Sequence, residues 1–175
     1  MATISKKICM VGDFGVGKTS LIRRYVEREF SDRYLSTVGV KISRKTIEIT
    51  HEDPQKSAKL QLIIWDLEGH TRFKAIAPSY LQGAAGALVV ADVTRLETVE
   101  NLKERIGLFA SVNPKSSISV AFNKADLVSH PQLEKLNKYI DLSRFPNVIH
   151  RCFTSAKTGD CVDEIFENLA RNLIF

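Results

Sequence analysis

The chain has 175 residues, 25 basic against 20 acidic, a net charge of +5 and 44% apolar side chains. That length supports one domain, residues 1–175, with a core of its own, and the composition excludes a disordered or fibrous chain. The mild positive balance suits a protein that holds a polyanion; it needs no nucleic acid to explain it and would favour an anionic membrane surface only weakly.

Cys9, Cys152 and Cys161 lack metal-ligand spacing. Two of them fall in apolar runs, where a thiol behaves as a small hydrophobe, and a reducing, cytoplasmic compartment fits best. The opening Met-Ala-Thr-Ile-Ser-Lys-Lys is not a signal peptide. No run is long enough to span a bilayer, and the longest, 84–91, reads as a buried strand. Position 2 is not Gly and the last residue, Phe175, is not Cys, so this sequence does not itself support lipid attachment, and work in the cytosol or a lipidated tail beyond residue 175 both stay open.

In chain order, residues 6–11 form an apolar run that predicts a strand buried on both faces of a parallel sheet. Gly12-Asp13-Phe14-Gly15-Val16-Gly17-Lys18-Thr19 follows, and the amphipathic run 21–26 leaves it. Strand, glycine-rich turn and helix are the setting in which G-x-x-x-x-G-K-[ST] is a phosphate-binding loop. Its glycines let successive backbone N–H groups converge on one point, and the helix adds its partial positive end. Lys18 brings a full charge for the outer phosphates, and the Thr19 hydroxyl suits a magnesium ion. The competing reading is a glycine-rich turn that matches by chance; the flanking elements weigh against it.

The helix places Leu21, Ile22, Tyr25, Val26 and Phe30 inward at helical spacing. Arg23, Arg24, Glu27 and Arg28 then read as a solvated face, with a membrane or partner patch as the alternative. Residues 31–37 read as a loop. Residues 41–50 alternate like an exposed strand with Ile42, Ile47 and Ile49 as its apolar members, and the slip between Ile42 and Ile47 is compatible with a bulge. A turn around Pro54 and a return strand over 60–65 complete an antiparallel hairpin. Three strand–helix repeats come next: strands over 86–92, 118–122 and 148–153, with helices over 97–112, 131–142 and 162–173. Such alternation implies an α/β fold, a largely parallel sheet with helices on both faces and ligands at the carboxyl ends of the strands.

Two further motifs end strands. Asp66-Leu67-Glu68-Gly69 offers a carboxylate for a magnesium shell and a glycine amide for a terminal phosphate. Asn123-Lys124-Ala125-Asp126 offers a carboxylate that matches the N1–H and exocyclic amino group of guanine, a donor pair that adenine lacks. Ser155-Ala156-Lys157 follows the last strand, so that the Ala156 amide could donate to the guanine carbonyl. Each is weak alone: D-x-x-G could be any turn, and N-K-x-D could be a plain loop.

With these motifs the chain resembles a Ras-superfamily small GTPase, closest in texture to the Rab branch, from Ile8 to the C-terminus. The resemblance rests on Gly12 to Ser20, Tyr34-Leu-Ser-Thr37-Val-Gly-Val, Trp65-Asp66-x-x-Gly69, Asn123-Lys-x-Asp126 and Ser155-Ala-Lys157. It implies a P-loop G domain with a six-stranded, mostly parallel sheet, one antiparallel edge strand and helices on both faces. It also implies GTP/GDP as the ligand with Mg2+, a cytoplasmic, monomeric signalling switch, and protein effectors and regulators that dock on switch loops at about 31–41 and 66–80. Phe30 falls where the family stacks an aromatic ring on guanine, and Tyr34 where it covers the phosphates. Thr37 falls where it ligates magnesium and senses the terminal phosphate. Both loops would be ordered by that phosphate and released on its loss.

Three residues depart from the family pattern. His70 stands where Ras-like proteins carry the glutamine that orients the attacking water, Phe14 stands where they carry a small residue, and Glu68 adds a carboxylate near the phosphates. In one reading the protein hydrolyses GTP slowly and acts as a persistently GTP-loaded binding module. In another, His70 positions the water once a partner turns it inward, as in translational GTPases, which the chain resembles locally. His70 could also be a plain exposed loop residue. A scaffold that no longer binds nucleotide is disfavoured by the presence of Lys18, Thr19, Asp66 and Asp126.

Overall fold

A computed structural model describes residues 3–50, 57–71 and 75–175. Six strands form one sheet: β1 (Thr3–Gly12), β2 (Val40–Ile49), β3 (Ala58–Leu67), β4 (Gly86–Asp92), β5 (Ser117–Asn123) and β6 (Val148–Phe153). Their order across the sheet is β2-β3-β1-β4-β5-β6, and only the β2–β3 pair is antiparallel. The helices are α1 (Lys18–Glu27), α2 (Pro78–Leu81), α3 (Leu96–Glu100), α4 (Leu102–Val112), α5 (His130–Tyr139) and α6 (Val162–Asn172). A 3-10 turn at Ala125–Leu127 lies between β5 and α5.

The sheet separates two apolar layers, and β1 shows how alternation builds them. Ile8 and Met10 face a cluster with Leu21 and Tyr25 of α1 and Phe166 and Leu169 of α6. Cys9 and Val11 face the opposite cluster, with Leu102, Ile106 and Phe109 of α4 and Val120 of β5. All seven residues of β4 are buried, as its continuous apolar run requires. Tyr25 and Phe166 stack with centroids 4.2 Å apart and planes 2° from parallel, which pins α1 to α6. Burial pushes the Cys9 thiol up to about 11 and the Cys152 thiol up to about 12, so both stay protonated packing groups at neutral pH.

Several expectations need correction. β2 and β3 pair without a bulge, in unbroken register from Val40↔Leu67 to Ile49↔Ala58. β2 is the sheet edge, where one face meets solvent and alternation is not enforced. Ile42 is 43% exposed on that outer face, while Ile47 and Ile49 point to the core. The helix expected over 97–112 is two, α3 and α4. Asn101 separates them, its backbone still bonded in helical fashion to Glu97 and Arg105 and its side chain drawn to Asp13. The helix expected over 131–142 ends at Tyr139. Glu27 and Arg28 are exposed as expected, Arg28 Nη1 meeting both Asp163 oxygens at 2.6 and 2.7 Å in a surface pair, but Arg24 is half-buried and reaches the loop after β6. The expected turn at Pro54 lies outside the described residues.

Candidate functional site

All the strand-end motifs gather at the carboxyl edge of β1, β3, β5 and the chain after β6. They surround a cavity of about 300 Å³. Its lining includes Phe14, Gly15, Gly17, Lys18, Thr19, Ser20, Phe30, Tyr34, Thr37, Gly69, Asn123, Lys124, Asp126, Ala156 and Lys157. Gly17 caps α1 with φ 99°, in the left-handed region, and a Cβ there would stand 2.3 Å from Asn123 Nδ2. Only glycine meets both demands.

Lys18 is 6% exposed. Its Nζ donates to the carbonyls of Gly12 and Asp13, both at 3.0 Å, so the ammonium is held inside the loop's own curve. Burial pulls its pKa down to about 8, opposed by the Asp66 and Asp13 carboxylates. Thr19 Oγ1 lies 2.6 Å from Asp66 Oδ2 and 2.7 Å from Thr37 Oγ1, and Thr37 Oγ1 is 3.5 Å from the same carboxylate oxygen. Asp66 Oδ1 is buried with no partner among the described residues. Two hydroxyls and a carboxylate with an orphaned oxygen are a hard, oxygen-only donor set, which fits magnesium. Among the described residues there is no group of three or more His, Cys, Asp or Glu that could hold a metal ion.

The other end of the cavity is braced by side chains that cross between loops. Asn123 Nδ2 donates to Val16 O at 2.9 Å, and its Oδ1 accepts from Thr154 Oγ1 at 3.2 Å and the Ala156 N–H at 3.4 Å. Lys124 Nζ donates to Gly15 O at 2.9 Å. Asp126 accepts the Ser155 hydroxyl at 2.7 Å and stands exposed at the rim.

The other expected residues stand behind this lining. The Val16 side chain belongs to the core. Gly12 packs on β4, and a Cβ there would stand 2.4 Å from Val90 O. Asp13 turns its carboxylate away from the cavity, to Arg105 Nε at 2.8 Å and Asn101 Nδ2 at 2.7 Å. His70 is neither exposed nor on the lining. Its N–H donates to Gly12 O at 3.0 Å and its carbonyl accepts from the Phe14 N–H at 2.8 Å, a short parallel bridge to the phosphate loop. His70 as a whole is 8% exposed, and its Nδ1 has no partner among the described residues. Burial, then the Arg105 cation, lowers its pKa, so the ring is neutral at pH 7.

Phe14 meets Tyr34 edge-on, with ring centroids 5.5 Å apart. Gly69 passes so close beneath that a Cβ would come within 2.5 Å of Phe14 Cα and 2.7 Å of Phe14 N. Neither neighbour is a flexible side chain, so Gly69→Ala must move backbone. The expected cost is about 2 kcal/mol, read as a fall of several degrees in the thermal midpoint by calorimetry. An unchanged midpoint would contradict this close approach.

Sequence reasoning missed Asp92, Arg95, Arg105 and the task of Arg24. Asp92 is buried at the carboxyl end of β4 and binds Lys124 Nζ at 2.7 Å and Arg95 Nε at 3.1 Å. Those two cations in turn hold successive phosphate-loop carbonyls, Gly15 O at 2.9 Å and Phe14 O at 2.7 Å. The signal was available, since Asp92 ends a strand just as Asp66 does. Arg24 Nε and Nη2 donate to Ala156 O at 2.7 Å and Lys157 O at 2.5 Å.

Comparison with known proteins fits this arrangement. The family described as "Ras of Complex, Roc, domain of DAPkinase" matches residues 7–126. The chain is 33% identical over 176 positions to Ras-related protein Rab-22A of Mus musculus, covering 99% of this chain and 86% of that protein. It is 34% identical to Ras-related protein Rab-13 of Canis lupus familiaris, covering 96% and 79%, and 35% identical to Ras-related protein Rab-1C of Dictyostelium discoideum, covering 95% and 80%.

Proposed function

The chain belongs to the Ras family of small GTPases and is homologous to Rab proteins, and on that footing we propose that it is a guanine-nucleotide-binding switch that hydrolyses GTP slowly. The carrying observation is that the phosphate, metal and base motifs, far apart in sequence, line one cavity with their side chains already braced. Lys18 and the amides of the loop from Gly15 to Thr19 would take the phosphates. Thr19, Thr37 and Asp66 would hold Mg2+, which when bound supplies charge to the β- and γ-phosphate oxygens. Asn123 and Lys124 brace the phosphate loop, Asp126 and the Ala156 amide read the base, and Phe30 and Tyr34 flank it and the phosphates. Effectors and regulators would dock on the loops near 31–41 and 66–80. The three cysteines are free thiols, which suits work in a reducing, cytoplasmic compartment. Among the described residues no helix is long and apolar enough to cross a membrane.

Slow turnover follows from the Phe14 ring against Tyr34 and from the inward His70. A partner-activated reaction would need that imidazole to leave its place beside Asp13 and Arg105. Calorimetry on protein stripped of nucleotide tests the reading: GDP and GTP with Mg2+ should bind at micromolar concentration or below, and ATP should not. Absence of heat with both guanine nucleotides overturns it.

Lys18 gives the binding a pH dependence. A phosphate beside the ammonium favours the charged form, so its pKa rises from about 8 on binding. Below pH 8 the lysine is charged before and after, and affinity is full. Above pH 8 binding must take up a proton, so affinity falls as pH rises. At pH 9, GDP titrations in buffers of different ionisation enthalpy should report uptake of about one proton. Heats independent of buffer would contradict it.

A further inference from the structure

Phe14 and Glu68, two of the residues that depart from the family pattern, both end on the same stretch of chain, residues 34–39. Glu68 lies one residue beyond β3 and Gly39 one residue before β2, so they face each other where the hairpin ladder runs out. The Glu68 N–H donates to Gly39 O at 2.9 Å, and Glu68 Oε2 accepts from the Gly39 N–H at 3.0 Å. A carboxylate thus closes the pair that a second backbone carbonyl would close in an ordinary antiparallel ladder, and it does so with a charge-assisted bond. Thr37 is two residues away, and two residues of chain span at most about 7 Å. Fixing Gly39 therefore confines Thr37, whose hydroxyl already stands 2.7 Å from Thr19 Oγ1. At the other end of the stretch the Phe14 ring holds Tyr34.

We propose that Glu68 is a positioning residue: its carboxylate holds residues 37–39, and with them Thr37, at the metal end of the cavity whichever guanine nucleotide is bound. The inference rests on reading the cavity as a nucleotide site, and it says how that site is regulated. Where the terminal phosphate would be the restraint on this loop, here a side chain supplies it. A partner that docks on residues 34–41 then meets nearly the same surface in the GDP and GTP forms and discriminates weakly between them. Phe14 supports the arrangement from the far end, but Glu68 can be tested without touching a residue that lines the cavity.

The test is amide hydrogen exchange over 34–41, with Mg2+ and either GDP or the slowly hydrolysed analogue GTPγS. The parent should show rates within about twofold between the two nucleotides. Glu68→Ala should raise exchange in the GDP form about tenfold, the scale of one lost charge-assisted bond, and leave the GTPγS form little changed. Glu68→Gln keeps an acceptor oxygen for the Gly39 N–H without the charge and should fall between the parent and Glu68→Ala, whereas a role in overall charge alone predicts that it behaves as Glu68→Ala. A parent that already differs tenfold between nucleotides, or a Glu68→Ala that speeds exchange equally in both forms, overturns the proposal. The same variants stripped of nucleotide separate it from the reading of function. Faster exchange in Glu68→Ala than in the parent supports the brace even if no nucleotide binds, and equal exchange overturns it.

Discussion

Asp126→Asn is expected to turn guanine selectivity into a preference for xanthine nucleotides, with GDP affinity falling about a thousandfold. In the proposed site the carboxylate would present two acceptors to two guanine donors, N1–H and the exocyclic amino group. An amide in its place sets a donor against a donor and leaves a desolvated N–H without a partner. Xanthine carries a carbonyl where guanine carries the amino group, so the same amide is matched again. The geometry makes the substitution a clean one. Ser155 donates its hydroxyl to Asp126 Oδ1 at 2.7 Å, and the Asn side-chain oxygen accepts that bond equally well. Competition of XDP and GDP against a fluorescent guanine nucleotide reads the result. A variant that still prefers GDP would remove Asp126 from base recognition.

The second large effect is a gain. Phe14→Gly combined with His70→Gln should raise single-turnover GTP hydrolysis at least about tenfold over the parent. Intrinsic Ras-type turnover is only about 10⁻⁴ s⁻¹, and a partner's arginine can add about 10⁵-fold, so positioning and charge govern nearly the whole barrier. Phe14 occupies the turn beside Gly69, and its ring lines the cavity edge-on to Tyr34, where it would narrow the approach to the phosphates. His70 sends its side chain behind the phosphate loop, where its Nδ1 meets no partner among the described residues. Glycine opens the approach, and glutamine supplies an uncharged amide that can reach from the same backbone position toward the water. Phosphate release from preloaded protein measures the rate. A double variant no faster than the parent would show that these two residues are not the brake, and a gain from Phe14→Gly alone would assign the brake to the ring.

What the sequence made legible were features whose demands are local. The phosphate loop is one, because glycine spacing, Lys18 and the flanking periodicities are consecutive in the chain. The bounds of β4 are another, since its apolar run stops where the strand stops. The unread features are meetings between distant segments. Asp13 is the second residue of the motif, and nothing near it announces that Arg105 will pair with it. His70 follows Gly69 directly, yet its side chain ends up buried and within the electrostatic reach of Arg105 on α4, a residue far along the chain. The supposed bulge in β2 failed for a related reason: an edge strand tolerates an exposed Ile42, and only the sheet order shows that β2 is an edge. Arg24 was misread because helical spacing puts it outside, while its guanidinium travels on to a loop at the far end of the chain.

That arginine adds a further tie, beside Asn123 and Lys124, between the phosphate-loop side of the site and the loop after β6. It sits on the first helix after the phosphate loop and grips the carbonyls of Ala156 and Lys157, in the segment proposed to frame the purine. Pulling the first helix away therefore drags on the purine frame, and prising open the purine frame tugs on the first helix. Departure of a bound nucleotide should accordingly behave as a single event rather than a peeling from one end, and an exchange factor would need to apply force at only one point to set the whole molecule free.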